Sequence, residues 1–156
     1  MKLVLASLLL LAFPALVGSA AAATAAAPRP APAVELFAWV PAGGFPDRFP
    51  FGQCTWWAAY NRRVTWNGNA GDWLSNAQAE GIATSDVPSI GAIAVYRPGG
   101  DYSVYGHVAI VIGVSPRSYT VSEMNAVGWG QVSTRTLPWP DRQAQGFIPL
   151  SASEAR

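Results

Sequence analysis

The sequence predicts an α+β domain in which N-terminal helices pack on an antiparallel β-sheet. Three observations predict this class. Two segments with helical character come first, and after Pro88 the pattern changes to short apolar or alternating runs rich in β-branched residues. Helices and strands are therefore grouped along the chain, which favours an antiparallel sheet over a parallel one. Turn residues such as Pro98–Asp101 separate the later runs, as expected between neighbouring strands.

The first helix is expected over Gln53–Arg63, where consecutive alanines favour helix and a preceding glycine marks the start. Cys54 then lies in its first turn. A second helix is expected from Asp72, whose carboxyl can cap the N-terminus, to Gly81, which can end the helix. Trp73 is the apolar residue expected to anchor this second helix in the core.

Five later segments are expected to form strands. The longest is a nearly continuous apolar run, which is typical of a buried strand. A Ser115-Pro116-Arg117 turn follows it, so it is expected to pair antiparallel with the next segment. The last segment is expected to close the sheet. The segments are Ala92–Tyr96, His107–Val114, Ser118–Glu123, Gln131–Leu137 and Phe147–Leu150.

The chain of 156 residues is expected to contain one small domain, at residues 45–150. Residues 1–23 have the layout of a secretory signal peptide, with Lys2, an apolar run and then small residues. The apolar run is shorter than the roughly 20 residues that span a bilayer, although an uncleaved N-terminal anchor stays an alternative. Residues 24–44 are rich in Ala and Pro and are expected to be a linker, and 151–156 a C-terminal tail.

The charge composition argues against a nucleic-acid partner. One of the ten Lys and Arg residues is Lys2, so a chain without its signal peptide has nine Arg against nine Asp and Glu. Such a balanced charge does not predict nucleic-acid binding, which needs a basic surface. The single cysteine cannot form an internal disulfide, so stability must come from the core. We expect a monomer with no cofactor and no stable membrane insertion after signal removal.

The chain holds one cysteine and one histidine, so a thiol hydrolase mechanism would have to use both Cys54 and His107. A thiol is a weak nucleophile until it ionises, and the first turn of a helix favours the thiolate. His107 follows Gly106 at the start of a strand, where the missing side chain allows close backbone approach. A lone cysteine is more often a small buried residue, which is the structural alternative. The polar Gln53 and Thr55 beside the cysteine favour the catalytic interpretation.

A catalytic imidazole needs an acceptor on its second ring nitrogen. Glu123 ends the strand expected to pair with the His107 strand. Asn125 would point to the same side if the extended backbone continued. Glu123 is the expected orienting group, because a carboxylate stabilises imidazolium and an amide does not. Asn125 is expected to be an auxiliary polariser.

Several motifs resemble those of the CHAP family, the cysteine, histidine-dependent amidohydrolases/peptidases. The resemblance covers nearly all of residues 50–150, in order. Any single motif is weak, but five in register are highly specific. They are Phe51–Trp57 around the cysteine, continued by Asn61-Arg62; Trp66–Trp73; Pro88–Val95; Gly106–Ala109 around the histidine; and Ser122–Asn125 with the acidic residue.

The resemblance implies a papain-like fold and cleavage of amide bonds in peptidoglycan. It implies that Cys54 is the nucleophile, His107 the base, and Glu123 with Asn125 the orienting groups. Some phage members of the family bind calcium through an acidic loop before the cysteine, but residues 41–53 here offer only Asp47. We therefore expect no calcium site, and one cysteine with one histidine falls short of a zinc ligand set.

The implied reaction is acyl transfer, in which the Cys54 backbone N–H and the Gln53 side chain hold the oxyanion. Gln53 could instead bond neighbouring backbone. Three tryptophans, Trp56, Trp66 and Trp129, are candidates to line a groove and stack on glycan or peptide. Packing in the core is the alternative for each. Trp129 is the best candidate, because glycines flank it in a loop next to the Asn125 motif.

We expect an exported peptidoglycan hydrolase, in the periplasm or secreted to the cell wall. It would be an N-acetylmuramoyl-L-alanine amidase or a peptide endopeptidase. Two alternatives stay open: an amidase acting on another small peptide, and a catalytically quiet module that binds wall peptides. The presence of Cys54, His107, Glu123 and Asn125 together argues against a quiet module.

Overall fold

A computed structural model describes residues 41–154 of the chain. The expected signal peptide, at 1–23, and most of the expected linker, at 24–44, lie outside these residues. No helix among residues 41–154 is both long and apolar enough to cross a bilayer. The elements are α1 (Cys54–Asn61), a 3-10 turn (Ala70–Asp72), α2 (Trp73–Ala79), β1 (Ile93–Tyr96), β2 (His107–Ser115), β3 (Ser118–Met124), β4 (Val132–Pro138) and β5 (Ala144–Ile148).

The strands form one antiparallel five-stranded sheet in the order β4-β3-β2-β1-β5, which confirms the predicted α+β class. β2 and β3 form the expected hairpin, with Ser115 opposite Ser118 beside the turn. β5 pairs with β1 at one edge, and β4 forms the other edge. His107, which begins β2, lies opposite Tyr96, which ends β1. The start of β2 and the ends of β1 and β3 therefore meet at one end of the sheet.

The sheet is buried on both faces. One face packs against the helices, and its core includes Ala58 and Trp73. The opposite face buries Tyr119 and Phe147. All of β1 is buried, whereas β4 alternates between exposed and half-buried residues at the sheet edge. Each large apolar side chain that folding removes from water contributes about 1.5–3 kcal/mol, so this two-sided core stabilises the domain without a disulfide.

Both helices are shorter than the sequence prediction, at Cys54–Asn61 and Trp73–Ala79. α1 stops at Asn61 rather than Arg63, because Arg62 is extended, with φ −137° and ψ 146°. Asp72 occupies the predicted N-cap position of α2, but it lies in the 3-10 turn with φ −90° and ψ −9°, and its side chain makes no capping hydrogen bond. Gly81 follows α2 with φ 75°, as its predicted role at the helix end requires.

Arg62 leaves the helix because its side chain is bound elsewhere. The side chain is 2% exposed, and its Nε lies 2.9 Å from Glu154 Oε1. It also donates to the carbonyl oxygens of Gly91 and Pro149. A buried guanidinium is tolerated only when it is paired and hydrogen-bonded, and these partners meet that condition. The described part of the expected C-terminal tail, through Glu154, is thus packed against the domain.

The Arg62–Glu154 pair predicts a pH dependence of stability. Burial raises the pKa of Glu154, but hydrogen bonds and charge attraction from Arg62 outweigh burial and lower it to about 2 from 4.5. A lowered folded-state pKa gives stability that is present above the unfolded pKa and is lost as the pH falls through the folded one. The free energy of unfolding should therefore fall between about pH 4.5 and pH 2.

We expect Glu154→Gln to reduce the loss of unfolding free energy on acidification and to lower stability at neutral pH. Urea unfolding midpoints from pH 2 to pH 7 measure both effects. Asp86→Asn is the control, because Asp86 is an exposed carboxylate outside this cluster. Equal pH slopes for Glu154→Gln and the wild type would show that the pair adds nothing to stability.

Candidate active site

Cys54 is the first residue of α1 and is buried, with 9% of its surface exposed. Gln53 before it is extended, with φ −96° and ψ 155°, so the helix begins at the cysteine itself. The first N–H groups of a helix have no partner inside the helix and carry partial positive charge. The backbone N–H groups of Thr55 and Val108 interact with the sulfur and favour its ionised form. The surroundings of the sulfur therefore stabilise negative charge.

His107 reaches the cysteine from the end of the sheet because Gly106 allows a tight backbone approach. Gly106 has φ +75°, and a Cβ there would lie 2.6 Å from Gly71 N and 2.7 Å from Tyr96 O. Both atoms belong to the backbone and cannot move aside cheaply. Gly71 N also donates to Tyr105 O at 2.8 Å, which fixes the segment before the histidine. Glycine is therefore required next to His107 for both conformational and steric reasons.

Glu123 orients the imidazole from the neighbouring strand. His107 Nε2 lies 2.9 Å from Glu123 Oε2, and the Glu123 side chain is 1% exposed. This bond leaves Nδ1 as the ring nitrogen free to exchange a proton with Cys54. The structure thus brings Cys54, His107 and Glu123 together from α1, β2 and β3.

The charges of these three groups support one another. Burial raises the pKa of the Cys54 thiol, but its interaction with His107 outweighs burial and leaves the pKa below its ordinary value. Burial acts to lower the pKa of His107, but Cys54 and Glu123 raise it to about 9. Burial raises the pKa of Glu123, and His107 together with Arg135 lowers it overall. The imidazolium therefore favours the ionised forms of both Cys54 and Glu123, and these two anions favour the protonated form of His107.

Asn125 lies next to the site but contacts Gln53 rather than the imidazole. Its Nδ2 donates to Gln53 Oε1 at 3.2 Å. The extended backbone assumed in the sequence prediction ends at Met124, and Asn125 has φ 65°. This left-handed conformation turns the chain away from the strand direction. The role expected for Asn125 as a polariser of His107 therefore differs from the contact that the structure shows.

The three candidate tryptophans have different surroundings. Trp66 is 3% exposed and packs edge-on against Trp73 at 5.8 Å, so a substrate cannot stack on it. The expectation that Trp66 lines a substrate groove is therefore wrong, because its ring is part of the core next to α2. Trp56 is half-buried and stacks on Tyr60 at 4.9 Å. Trp129 is 61% exposed and available to a ligand.

Trp129 is held beside the cysteine by the loop before β4. Gly130 N donates to Gly52 O at 3.2 Å. A Cβ on Gly52, which has φ +92°, would come within 2.5 Å of the Trp129 ring. Phe51 is 62% exposed and meets Trp56 edge-on at 4.8 Å. We call Phe51, Trp56 and Trp129 the aromatic rim.

Two depressions adjoin Cys54, and both are also lined by Gln53 and Gly106. One has a volume of about 240 Å³ and continues past Phe49. The other has a volume of about 160 Å³ and continues past Arg135. A larger depression of about 520 Å³, between residues 45–48 and 63–65, shares none of the site residues. The two smaller depressions place the sulfur in the middle of an open cleft.

Two residues near the imidazole were missed by sequence reasoning. Tyr102 stacks on His107 with ring centroids 5.2 Å apart and planes 8° apart. Arg135 Nη2 lies 3.0 Å from Glu123 Oε2. The alternating pattern of β4 was a usable signal, because Arg135 shares a strand face with Ser133, which pairs with Glu123. Among residues 41–154, no group of three His, Cys, Asp or Glu side chains is arranged to hold a metal ion.

Comparison with known proteins gives a family and several relatives. The sequence matches the CHAP domain over residues 44–125. A protein of Staphylococcus aureus named a probable autolysin is 35% identical over 103 residues, which is 60% of this chain and 35% of that protein. An N-acetylmuramoyl-L-alanine amidase of Staphylococcus epidermidis is 37% identical over 99 residues, covering 58% of this chain and 29% of the relative.

A solved structure shares the architecture. The crystal structure of an N-acetylmuramoyl-L-alanine amidase from Staphylococcus aureus superposes with a TM-score of 0.50 at 35% identity. The match covers 55% of this chain and 27% of the other. The chain spans about a third of the length of the curated relatives it matches.

Alkylation of Cys54 tests whether His107 activates the thiol. We expect iodoacetamide to modify the wild type at pH 6, and His107→Ala to react about 10- to 100-fold more slowly, because an unperturbed thiol is almost wholly protonated there. Intact-protein mass measures the adduct, and the single cysteine makes its position unambiguous. Equal rates in the two proteins would remove His107 from the role of activator.

Substitution of Gly106 tests the geometry beside the imidazole. Gly106→Ala adds a methyl group against backbone atoms at positive φ, so we expect a loss of about 1–3 kcal/mol in stability and slower alkylation of Cys54. Gly99→Ala is the matched control, because Gly99 has φ +81° and nothing within 4 Å of its added Cβ. Equal losses for the two variants would mean that the close approach at Gly106 has no special role.

Proposed function

Because this chain belongs to the CHAP domain family, we propose that it is a cysteine hydrolase that cleaves amide bonds in peptidoglycan. The observation that carries the proposal is the buried arrangement of Cys54, His107 and Glu123, with His107 Nε2 2.9 Å from the carboxylate. A purely structural cysteine and histidine would not require a buried carboxylate at that nitrogen, because an uncompensated carboxylate is costly to bury.

The first half of the proposed reaction forms an acyl-enzyme. The Cys54 thiolate attacks the carbonyl carbon of the amide, and the carbonyl π electrons move to the oxygen. His107 then gives its proton to the leaving amine as the carbon–nitrogen bond breaks. The products of this half are a free amine and a thioester on Cys54, with His107 neutral.

The second half releases the acid. Neutral His107 takes a proton from water, and the oxygen attacks the thioester carbonyl. The carbon–sulfur bond breaks and the thiolate returns beside the imidazolium. Glu123 orients the ring in both halves, because its bond to Nε2 does not involve the nitrogen that faces the sulfur.

Gln53 is the side chain best placed to stabilise the oxyanion beside the Cys54 N–H. Its Oε1 accepts a hydrogen bond from Asn125 Nδ2 at 3.2 Å, so its own Nε2 is the group left to donate. Gln53 lines both depressions next to the sulfur. In this proposal Asn125 acts by orienting Gln53. Donors fixed before the charge develops are among the largest contributions to such reactions.

The aromatic rim is proposed to bind the substrate beside the cysteine. Trp129 and Phe51 are exposed, and Trp56 joins them at the base. Aromatic faces suit the apolar faces of sugar rings and the side chains of short peptides. Trp66 is left out, because it is buried in the core.

We assign the bond between the muramoyl lactyl group and L-alanine as the first candidate substrate. The names of the Staphylococcus epidermidis relative and of the solved Staphylococcus aureus structure favour this bond. We also propose that the protein acts outside the cytoplasm, because residues 1–23 have the layout of a signal peptide and its proposed substrate lies there.

Mass spectrometry of soluble products tests the proposal. Purified peptidoglycan is incubated with the chain without its signal segment, and with Cys54→Ala and Cys54→Ser in parallel. We expect the wild type to release peptides that begin with alanine and to leave free lactyl groups on the glycan. We expect both variants to lose turnover by about 10³-fold or more while staying folded.

Other products would redirect the assignment. Shortened stems or opened cross-links would mean an endopeptidase. Release of the same products by Cys54→Ala would end the thiol mechanism. No product from several wall types would favour another peptide substrate or a quiet binding module.

A further inference from the structure

Arg135 on β4 lies outside the proposed reaction steps but touches their orienting group. Its Nη2 donates to Glu123 Oε2 and to the Tyr102 hydroxyl, each at 3.0 Å. One guanidinium nitrogen carries two hydrogens, so both bonds can form at once. The Arg135 Cζ also lies 5.4 Å from the centre of the Tyr102 ring. Arg135 lies beyond residues 44–125, which match the family.

Glu123 is paired with two cations through one oxygen atom. Oε2 lies 2.9 Å from His107 Nε2 and 3.0 Å from Arg135 Nη2. The Glu123 side chain is 1% exposed, so bulk water cannot replace either partner. A buried carboxylate that loses its cation is strongly destabilised. With two cations, the carboxylate stays paired when one of them loses its charge.

The proposed reaction leaves His107 without its charge for one interval. His107 begins as an imidazolium, gives its proton to the leaving amine and stays neutral until it deprotonates water. During that interval its ring offers Glu123 no positive charge. We propose that Arg135 is a positioning residue that keeps Glu123 paired with a cation while His107 is neutral, so that the imidazolium can release its proton. The proton transfer from His107 to the leaving amine rests on the proposed function.

Tyr102 holds both partners in place. Its ring lies parallel to His107, with centroids 5.2 Å apart and planes 8° apart, and its hydroxyl accepts from Arg135. Burial raises the pKa of Tyr102 to about 12, so the hydroxyl is neutral and can accept this bond. One side chain therefore sets the plane of the imidazole and the position of the guanidinium.

The charges around the imidazole make the effect of Arg135 separable. Apart from His107 itself, Arg135 is the one positively charged residue among the described residues that face His107 or Glu123. The titratable or charged groups that face them are Cys54 from α1, Tyr96 from β1, Tyr102 from the segment before β2, Glu123 from β3 and Arg135 from β4. Asp101 lines the depression that Arg135 also lines. Asp141 is hydrogen-bonded to Tyr119, whose hydroxyl contacts that of Tyr96.

The test is an NMR titration of His107, the single histidine of the chain. It is made in the Cys54→Ala background, so that the signal reports on Glu123 and Arg135 without the thiolate. Arg135→Met and Arg135→Gln remove the charge, and Arg135→Lys keeps it. Arg97→Met makes the same change at an exposed arginine bound to a backbone carbonyl.

We expect the titration midpoint to rise by about 0.5 to 1 pH unit in Arg135→Met and Arg135→Gln. Removing the cation ends its repulsion of the imidazolium and leaves the full carboxylate charge to His107, so the proton is held more tightly. Arg135→Lys and Arg97→Met should stay close to the background midpoint. An unchanged or lower midpoint in folded Arg135→Met and Arg135→Gln would overturn the proposal.

Turnover of peptidoglycan gives a second readout in chains that keep Cys54. We expect Arg135→Met to lower kcat about 10-fold with KM unchanged, and Arg135→Lys to restore most of it. Equal losses in the Met and Lys variants would contradict a role through charge. If the wild type releases no product, the proposed function fails, and the titration still decides the role of Arg135.

Discussion

The hydrogen bond between His107 and Glu123 is the interaction on which the rest of the site depends. It is 2.9 Å long and buried, so it holds the ring orientation and supplies a negative charge that water cannot screen. The bond exists because β2 begins where β3 ends, which follows from the hairpin between them. The hairpin therefore determines the chemistry of the imidazole as well as the order of the sheet.

The remaining parts of the site are arranged around that bond by backbone constraints. α1 begins at Cys54, and the backbone N–H of Thr55 in its first turn interacts with the sulfur. Gly106 permits the backbone approach that brings His107 to the same place. The Arg62–Glu154 pair fixes the other end of α1 at a distance from the chemistry. The position of Cys54 is thus set from both ends of a short helix.

Local sequence was sufficient for some of these features and insufficient for others. Cys54 and His107 could be paired because each is the single residue of its type, and Glu123 followed from the expected hairpin. Asn125 could not be placed, because its φ of 65° depends on a loop that closes through Gln131. The burial of Trp66 arises from tertiary packing, which no local pattern contains. The alternating pattern of β4 gives the face of Arg135, but its contact with Glu123 also depends on the β3–β4 register.

One side of the cleft is formed by central strands of the sheet and the other by a surface loop. His107 pairs with Tyr96 of β1, a strand buried along its whole length between two neighbours. Trp129 and Gln131 lie instead in the connection before β4, which crosses the surface at the cleft. Loops accept substitution and insertion far more readily than a central strand does. For the proposed hydrolase, substrate selection could therefore change through the loop at 126–131 while the positions of Cys54, His107 and Glu123 stay the same.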